Sequence, residues 1–282
     1  MQDNKKNYKI KKMCKILKIP RSTYYALKNF KKGKKVEEYE KFSEEVKKCY
    51  EESKHRYGAI KIQKELEKRG IKCSIKRVQR HMRRLGIKSI VVKKFKYTKN
   101  HGKIPNDKEN IINRDFKAKK IFEKLVTDIT YIYVREEGWT YLASVMDLYD
   151  RKIIGYAYGK HNTCALVKKS IENACLNIPD TNGIVLHSDL GSQYTSADFE
   201  NFLSSKGIIH SFSRKGNPYD NACIESFHSI IKKELIYHCS FDTFRQANFA
   251  IFDFIESWYN RKRIHSYLNY MTPQQVEDSF IY

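Results

Sequence analysis

The hydrophobic rhythm of the chain changes near residue 125. Ahead of that point apolar positions recur at helical spacing; beyond it, short alternating runs take over. Ile75, Val78, Met82 and Leu85 step by three, four and three, so they share one helix face. Ser74 is a good N-cap and Gly86 a good terminator, which predicts a helix between them. Two more helices are predicted before it, from about Glu38 to Ser53 and from about Ala59 to Gly70. Residues 8–29 read as two shorter helices broken near Ile19-Pro20, with Pro20 suited to a first helical position. That outline fits a helix-turn-helix, as it fits any helical hairpin.

Beyond residue 125 the stretches LVTDITYIYV, WTYLASVMDLY and KIIGYAYG read as three strands. The short turns between them, EEG and Asp150-Arg151, predict antiparallel pairing. Then come a helix over 163–177, a short buried strand GIVLHSD, a helix from Ser196 to Ser205 and a strand GIIHSFS. The loop RKGNPYDN leads to a helix from about Ala222 to Tyr237, and a last helix spans roughly Thr243 to Asn260. The order β-β-β-α-β-α-β-α predicts an α/β core with a mixed five-stranded sheet.

Charge divides the chain at nearly the same place. The formal net charge is +23. Residues 1–120 hold 39 Lys+Arg against 13 Asp+Glu, and the remainder holds 16 against 19. A basic front joined to a near-neutral back points to one part that grips a polyanion and another with a different role. Nucleic acid is the polyanion the pattern favours. An anionic membrane surface is the rival, but no long Lys-faced amphipathic helix with bulky apolar anchors is evident. In the helix after Ser74, Lys76, Arg77, Arg80, Arg83 and Arg84 surround the apolar stripe with no acid among them, as a helix laid on DNA requires. Residues 88–119 lose periodicity and carry Lys93, Lys94, Lys96 and Lys99, a basic linker suited to lie along phosphates. The domain reading is a helical DNA-binding region over 1–87, the linker over 88–119, and an α/β core with a helical extension over 120–282.

Other classes recede. No run of 18 apolar residues exists, and the basic N-terminus lacks the apolar stretch of a secretory signal, which predicts a cytoplasmic protein. Seven scattered cysteines without a CxxC pair argue against a disulfide framework or a zinc ribbon. The nine histidines form no HxxxH or HExxH pair.

Three acids stand out by position. Asp128 lies inside the first strand, flanked by Val126, Ile129 and Ile132. A carboxylate in the middle of a core strand is costly unless compensated. Asp189 ends the fourth strand, where acids often line ligand crevices of α/β sheets. Glu225 opens the helix that follows the Gly-Asn-Pro loop. Each alone reads equally well as a surface, turn or helix-dipole residue. Together they are the oxygen donors that a metal pair performing an in-line phosphate displacement needs.

The stretches LVTDITYI, HSDLGSQYTS and SRKGNPYDNACIESFHSIIKKEL resemble the DDE transposases and retroviral integrases. Thirty-five residues separate Asp189 from Glu225, and Lys232 follows Glu225 by seven on the same helix face, where the family carries a basic residue. The chain is most similar to OrfB, the catalytic frame of the IS-three insertion-sequence family. HRYGAIKIQKEL, KRVQRHMRRLGI, NIINRDF and YNRKRIHSYLNYMTPQQV agree with it, so the resemblance covers nearly the whole chain. One departure is Leu125, where the family often has Trp.

The resemblance implies a ribonuclease-H-like core holding two Mg²⁺ or Mn²⁺ ions through Asp128, Asp189 and Glu225. It implies water attack at the element's end, then attack of the freed 3′-OH on another phosphodiester, with no covalent protein–DNA intermediate. Lys232 is placed on a terminal phosphate or base. Arg263 and His265 are offered as further DNA contacts, and Asn217, Pro218 and Asn221 as shaping the loop that presents Glu225. The implied partners are double-stranded DNA, further copies of the chain in a synaptic complex, and an upstream OrfA product, as partner or as fusion. Two rival classes are a non-catalytic DNA-binding regulator and a stand-alone ribonuclease-H-type nuclease. The first leaves the three matched acidic motifs without a role; the second would cut and join nothing.

Overall fold

Among the described residues, five α-helices precede the sheet: α1 (Ile10–Ile16), α2 (Arg21–Lys28), α3 (Lys34–Glu52), α4 (Ala59–Lys68) and α5 (Ile75–Arg84). The structure is a computed structural model that describes residues 8–28, 33–91, 109–214 and 218–281. Most of the basic linker, and Asn217, lie outside the described residues. Helix α5 begins where the cap predicts, with the Ser74 hydroxyl accepting from the Arg77 amide at 3.2 Å. Its apolar stripe is narrower than expected. Val78 and Met82 are buried, whereas Ile75 and Leu85, at the two ends, are 39% and 38% exposed. The core place on that face is taken by His81, stacked on Tyr39 and bonded to the Ser43 hydroxyl at 2.8 Å.

The second half is built on strand β1 (Lys124–Val134). It pairs antiparallel with β2 (Gly138–Asp147), and β2 pairs antiparallel with β3 (Ile153–Gly159). On its other side β1 pairs parallel with β4 (Val185–Ser188), which pairs parallel with β5 (Ile209–Phe212). The order β3-β2-β1-β4-β5 is the mixed five-stranded sheet the sequence predicts. Between β3 and β4 lies α6 (Cys164–Cys175), capped by Thr163, and between β4 and β5 lie α7 (Ser192–Thr195) and α8 (Ala197–Ser205), the latter capped by Ser196. Then come α9 (Ala222–Glu234), α10 (Phe244–Phe252) and α11 (Pro273–Ile281).

Alternation along β1 sorts its side chains into two cores. Val126, Ile132 and Val134 are buried with Ile224, Phe227 and Ile231 of α9. Leu125 is buried with Val167 and Ile171 of α6 and Phe199 and Leu203 of α8. Each such side chain contributes about 1.5–3 kcal/mol, so α9 is held firmly on one face. Gly155 lets α6 come close on the other: a Cβ there would collide with the backbone of Ser170 and Ala174.

The C-terminal part departs from the single helix expected over Thr243–Asn260. The Thr243–Gln246 capping box starts it as predicted, but after Phe252 it winds more widely as a π-helix over Asp253–Tyr259. That turn buries Phe254, Ile255, Trp258 and Tyr259 together. Residues between α3 and α4 dock on this surface. The Tyr57 hydroxyl donates to the Lys262 carbonyl and accepts from the Ile264 amide, both at 2.9 Å. The Arg56 guanidinium lies 4.7 Å from the Trp258 ring centroid, and its Nε donates to the Glu234 carbonyl at 3.2 Å. Helices α3, α4 and α5 and the sheet domain therefore share one hydrophobic core.

Candidate active site

The parallel register Val126↔His187 brings Asp128, in mid-β1, beside Asp189, just past the end of β4. Glu225 stands in the first turn of α9, which packs on the same face of β1 as Asp128. Asp128 is half-buried; its Oδ1 accepts from the Ile129 amide at 2.8 Å. Asp189 is held by a tight turn in which the Gly191 amide donates to its Oδ1 at 2.9 Å. A Cβ on Gly191 would come within 2.9 Å of that same oxygen, which explains the glycine in HSDLGSQ.

The three carboxylates act on one another. Asp189 lies at the open mouth of the cleft with much of its surface in solvent, yet surrounding protein atoms strip water from its carboxyl and the Asp128 charge repels it, raising it to about 6. Glu225 is raised by desolvation first, then by Asp128 and Asp189. Mutual repulsion of this kind is what a divalent cation relieves. The donor set, all hard carboxylate oxygens, fits such an ion. Among the described residues, no three His, Cys, Asp or Glu side chains are drawn together closely enough to enclose one as they stand.

Several contacts around the acids were not singled out by the sequence. His228, three residues after Glu225 on the same face of α9, puts Nδ1 3.3 Å from Asp128 Oδ2. The i, i+3 spacing is the signal that could have found it. Tyr194, from the HSDLGSQYTS stretch, is fully buried with its hydroxyl 3.3 Å from that of Thr127, so it supports the floor of the cleft. His187 bonds to Ser211 and Ser213 at 2.8 and 3.0 Å; burial lowers its pKa to about 4 and keeps it neutral.

A buried carboxylate clamps the approach to α9. Asp220 accepts from Arg114 at 2.7 Å, from the Arg214 side chain at 3.0 Å, and from Asn110 and the Arg214 amide at 2.9 Å. Burial alone would raise its pKa, but the hydrogen bonds from Arg214 and Arg114 outweigh it and hold it near 2. Its stabilising contribution is present above the ordinary aspartate range and fades as pH falls toward 2. The clamp ties NIINRDF to SRKGNPYDN just ahead of Glu225, and Asn221 adds a 3.4 Å bond to the Thr127 carbonyl. Asp220→Asn is expected to cost about 2–3 kcal/mol at neutral pH. A urea-unfolding midpoint equal to that of the unchanged chain would refute the clamp.

The expected DNA-contact residues separate. On α5, Lys76, Arg80, Arg83 and Arg84 are exposed, while Arg77 is half-buried with its guanidinium 4.0 Å from the Phe42 ring centroid. Arg84 also lies over a ring, that of Tyr39, at 5.1 Å. Lys232 is half-buried, 4.2 Å from the Tyr131 ring centroid; burial lowers its pKa and the Asp128 charge partly restores it. Arg263 corrects the expectation. It is 8% exposed, and its guanidinium bonds both oxygens of buried Glu234 at 2.9 to 3.2 Å, so it is not presented to DNA. His265 is buried beside it, its pKa lowered to about 2 by burial and by the charges of Arg263, Lys61 and Arg151.

The sheet order with its flanking helices is that of a ribonuclease-H-like core of the integrase class. Integrase core domain families match residues 118–218 and 206–273, and an HTH-like domain family matches residues 37–95. The transposase for insertion sequence element IS904 of Lactococcus lactis is 39% identical over 246 residues, covering 87% of this chain and 96% of that protein. Transposase InsF for insertion sequence IS3A of Escherichia coli is 32% identical, covering 99% and 97%. Among solved structures, the catalytic core domain of HTLV-2 integrase in complex with magnesium is similar at 17% identity, with a TM-score of 0.43, over 57% of this chain and 99% of that one. The chain belongs to the IS3 family of insertion-sequence transposases. It is a DDE-type enzyme of DNA transposition and integration, it binds DNA, and its core is of a divalent-metal-dependent kind. No helix among the described residues is long and apolar enough to cross a membrane.

Proposed function

We propose that Asp128, Asp189 and Glu225 are the catalytic acids, and that they hold two Mg²⁺ or Mn²⁺ ions for cleavage at the insertion-sequence ends and strand transfer. The observation that carries this reading is the electrostatic coupling of three carboxylates contributed by β1, the end of β4 and the start of α9. Bound there, the ions would activate a water and stabilise the departing 3′ oxygen. The chain's own part is to hold the acids in register, with His228 orienting Asp128 and the Asp220 clamp placing α9. Lys232, beside the acids, is suited to a phosphate or base at the cleaved end. A duplex carrying one element end with its flank, and a label at the 5′ end of the strand to be cleaved, tests the reading. With Mg²⁺ the label is expected to appear in a joined product; binding alone, or cutting without joining, would sink it.

The regions 1–87, 88–119 and 120–282 are proposed to act as DNA-binding part, linker and catalytic part. Lys76, Arg77, Arg80, Arg83 and Arg84 are proposed to lie on phosphates or bases. Lys76, Arg80 and Arg83 give the cleaner test, because Arg77 and Arg84 also pack on rings. Replacing the three by Gln is expected to reduce the slope of log affinity against log salt by up to about 2.7. An unchanged slope would remove α5 from the interface. We further propose that at least two copies assemble on paired ends in the cytoplasm, on the nucleoid, and that an OrfA product is the natural partner or fusion.

A further inference from the structure

Beyond Ser188 the strand β4 has ended, while β1 and β2 continue together as a hairpin from Ile129↔Ala143 to Val134↔Gly138. Past Asp128 the odd-numbered side chains of β1 lie on the opposite face of the sheet from Asp128 and α9, and Lys232 of α9 meets the Tyr131 ring beside the edge of β1 that β4 no longer pairs. The hairpin carries three large aromatics with most of their surface open: Tyr131, Tyr133 and Trp139 are 57%, 54% and 55% exposed. Trp139 meets Tyr131 and Tyr133 edge to face, at 5.2 and 5.4 Å between centroids. Cross-strand packing of this kind stabilises a hairpin; each contact uses the edge of one ring and one face of the other, and more than half of each side chain's surface stays open to solvent. The rings border a concavity of about 490 Å³ that Lys232 and Tyr237 also line. Arg135 also lines it, engaged at 2.8 Å by Asp242, and no carboxylate lines it among the described residues.

We infer that this hairpin face is a stacking platform for unpaired nucleobases of the DNA strand that enters the catalytic cleft. The inference rests on the proposed function of the acids and adds to it a subsite and a ligand chemistry. Every base presents a π-face, so exposed aromatic rings beside a cation bind single strands with little regard for sequence. Along β1 Tyr131 lies roughly 10 Å and Tyr133 roughly 17 Å from Asp128, so a strand leaving the acids reaches these rings by passing the edge of β1 beside Lys232. Lys232 connects the two places, since its ammonium caps the Tyr131 ring while the Asp128 charge acts on it. A second copy of the chain is the competing occupant. The positive charge of Lys232 and the lack of acids around the concavity favour a polyanion.

The test uses the full chain and a twelve-residue oligothymidylate. The chain has two tryptophans, and Trp258 is 4% exposed, so quenching on adding the oligonucleotide reports on Trp139. Quenching is expected in the unchanged chain and in Asp189→Asn. Binding seen by anisotropy without quenching would overturn the platform. In the joining assay, Tyr133→Ala with Trp139→Ala is expected to lose roughly tenfold to a hundredfold on fully paired ends. It should recover on ends whose last pairs are mismatched, and Tyr133→Phe with Trp139→Phe should join normally. Joining by the alanine pair at the unchanged level would overturn the inference, as would a fall in its oligomeric mass with no loss of affinity for the oligonucleotide. If the unchanged chain joins nothing while quenching persists, the catalytic reading fails and the platform stands.

Discussion

Asp128→Asn, Asp189→Asn or Glu225→Gln is each expected to lower strand joining by at least roughly a thousandfold, about 4 kcal/mol of barrier. DNA capture should persist, because the basic surface lies mainly in the first 120 residues. The same three side chains give a second readout in the metal-free protein. Asp189 is raised in the fold from 3.8 to about 6, so its protonated form favours the folded state. That contribution is complete below the ordinary aspartate value and is lost as pH rises through 6. At pH 7.5 Asp189→Asn should therefore not destabilise the metal-free chain, and should stabilise it by about 1 kcal/mol once solvent screening is allowed for. Mg²⁺ should raise the melting temperature at pH 7.5 and do so much less at pH 5, where the carboxyl holds its proton. Joining retained by all three variants, or a Mg²⁺ effect that survives Asp189→Asn at full size, would contradict the assignment.

Glu234→Gln is expected to destabilise the chain by about 3–5 kcal/mol, more than any surface charge change. The Glu234 and Arg263 side chains are only 5% and 10% exposed, and Trp258 Nε1 adds a 3.0 Å hydrogen bond to the same carboxylate. Burial alone would raise Glu234, but the charge and hydrogen bonds of Arg263, with Lys61 and Trp258, hold it below the ordinary value. Its contribution is present above the usual glutamate range and disappears as pH falls through that lowered value. Removal leaves Arg263 and Arg56 buried without their carboxylate, and it lowers further the already depressed Lys61, which burial and Arg263 bring to about 7. Since Glu234 ends the helix that carries Glu225 in its first turn, joining should fall with stability. A urea midpoint within experimental error of the unchanged chain would show that the pair is not a structural anchor.

Much of this was legible because it is local. Alternation, the EEG turn and the Asp150-Arg151 turn define the hairpins of β1, β2 and β3. Ser74, Ser196 and Thr243 mark helix starts by a hydrogen bond three residues long. The positions of Asp128, Asp189 and Glu225 follow once those elements are placed. What was illegible depends on partners far apart in the chain. Arg263 reads as a surface cation until Glu234 is found facing it, 29 residues away. Asp220 reads as a turn residue until Asn110 and Arg114 arrive from before the sheet, more than 100 residues earlier. The width of the α5 stripe depends on where the helix stops, and the π-turn after Phe252 on how many rings the core accepts.

The seating of Arg56 and Tyr57 on Trp258, Lys262 and Ile264 has a consequence for reach. A long basic linker suggests two halves on a tether, free to sample many separations. These contacts bypass the tether, joining the segment between α3 and α4 directly to the far end of α9 through Glu234 and to the segment around Lys262 and Ile264. The cationic helix α5 and the three acids then belong to a single frame, and the interval between the DNA gripped by one and the phosphate met by the other is set by the fold, as on a ruler, and not by the slack of the linker.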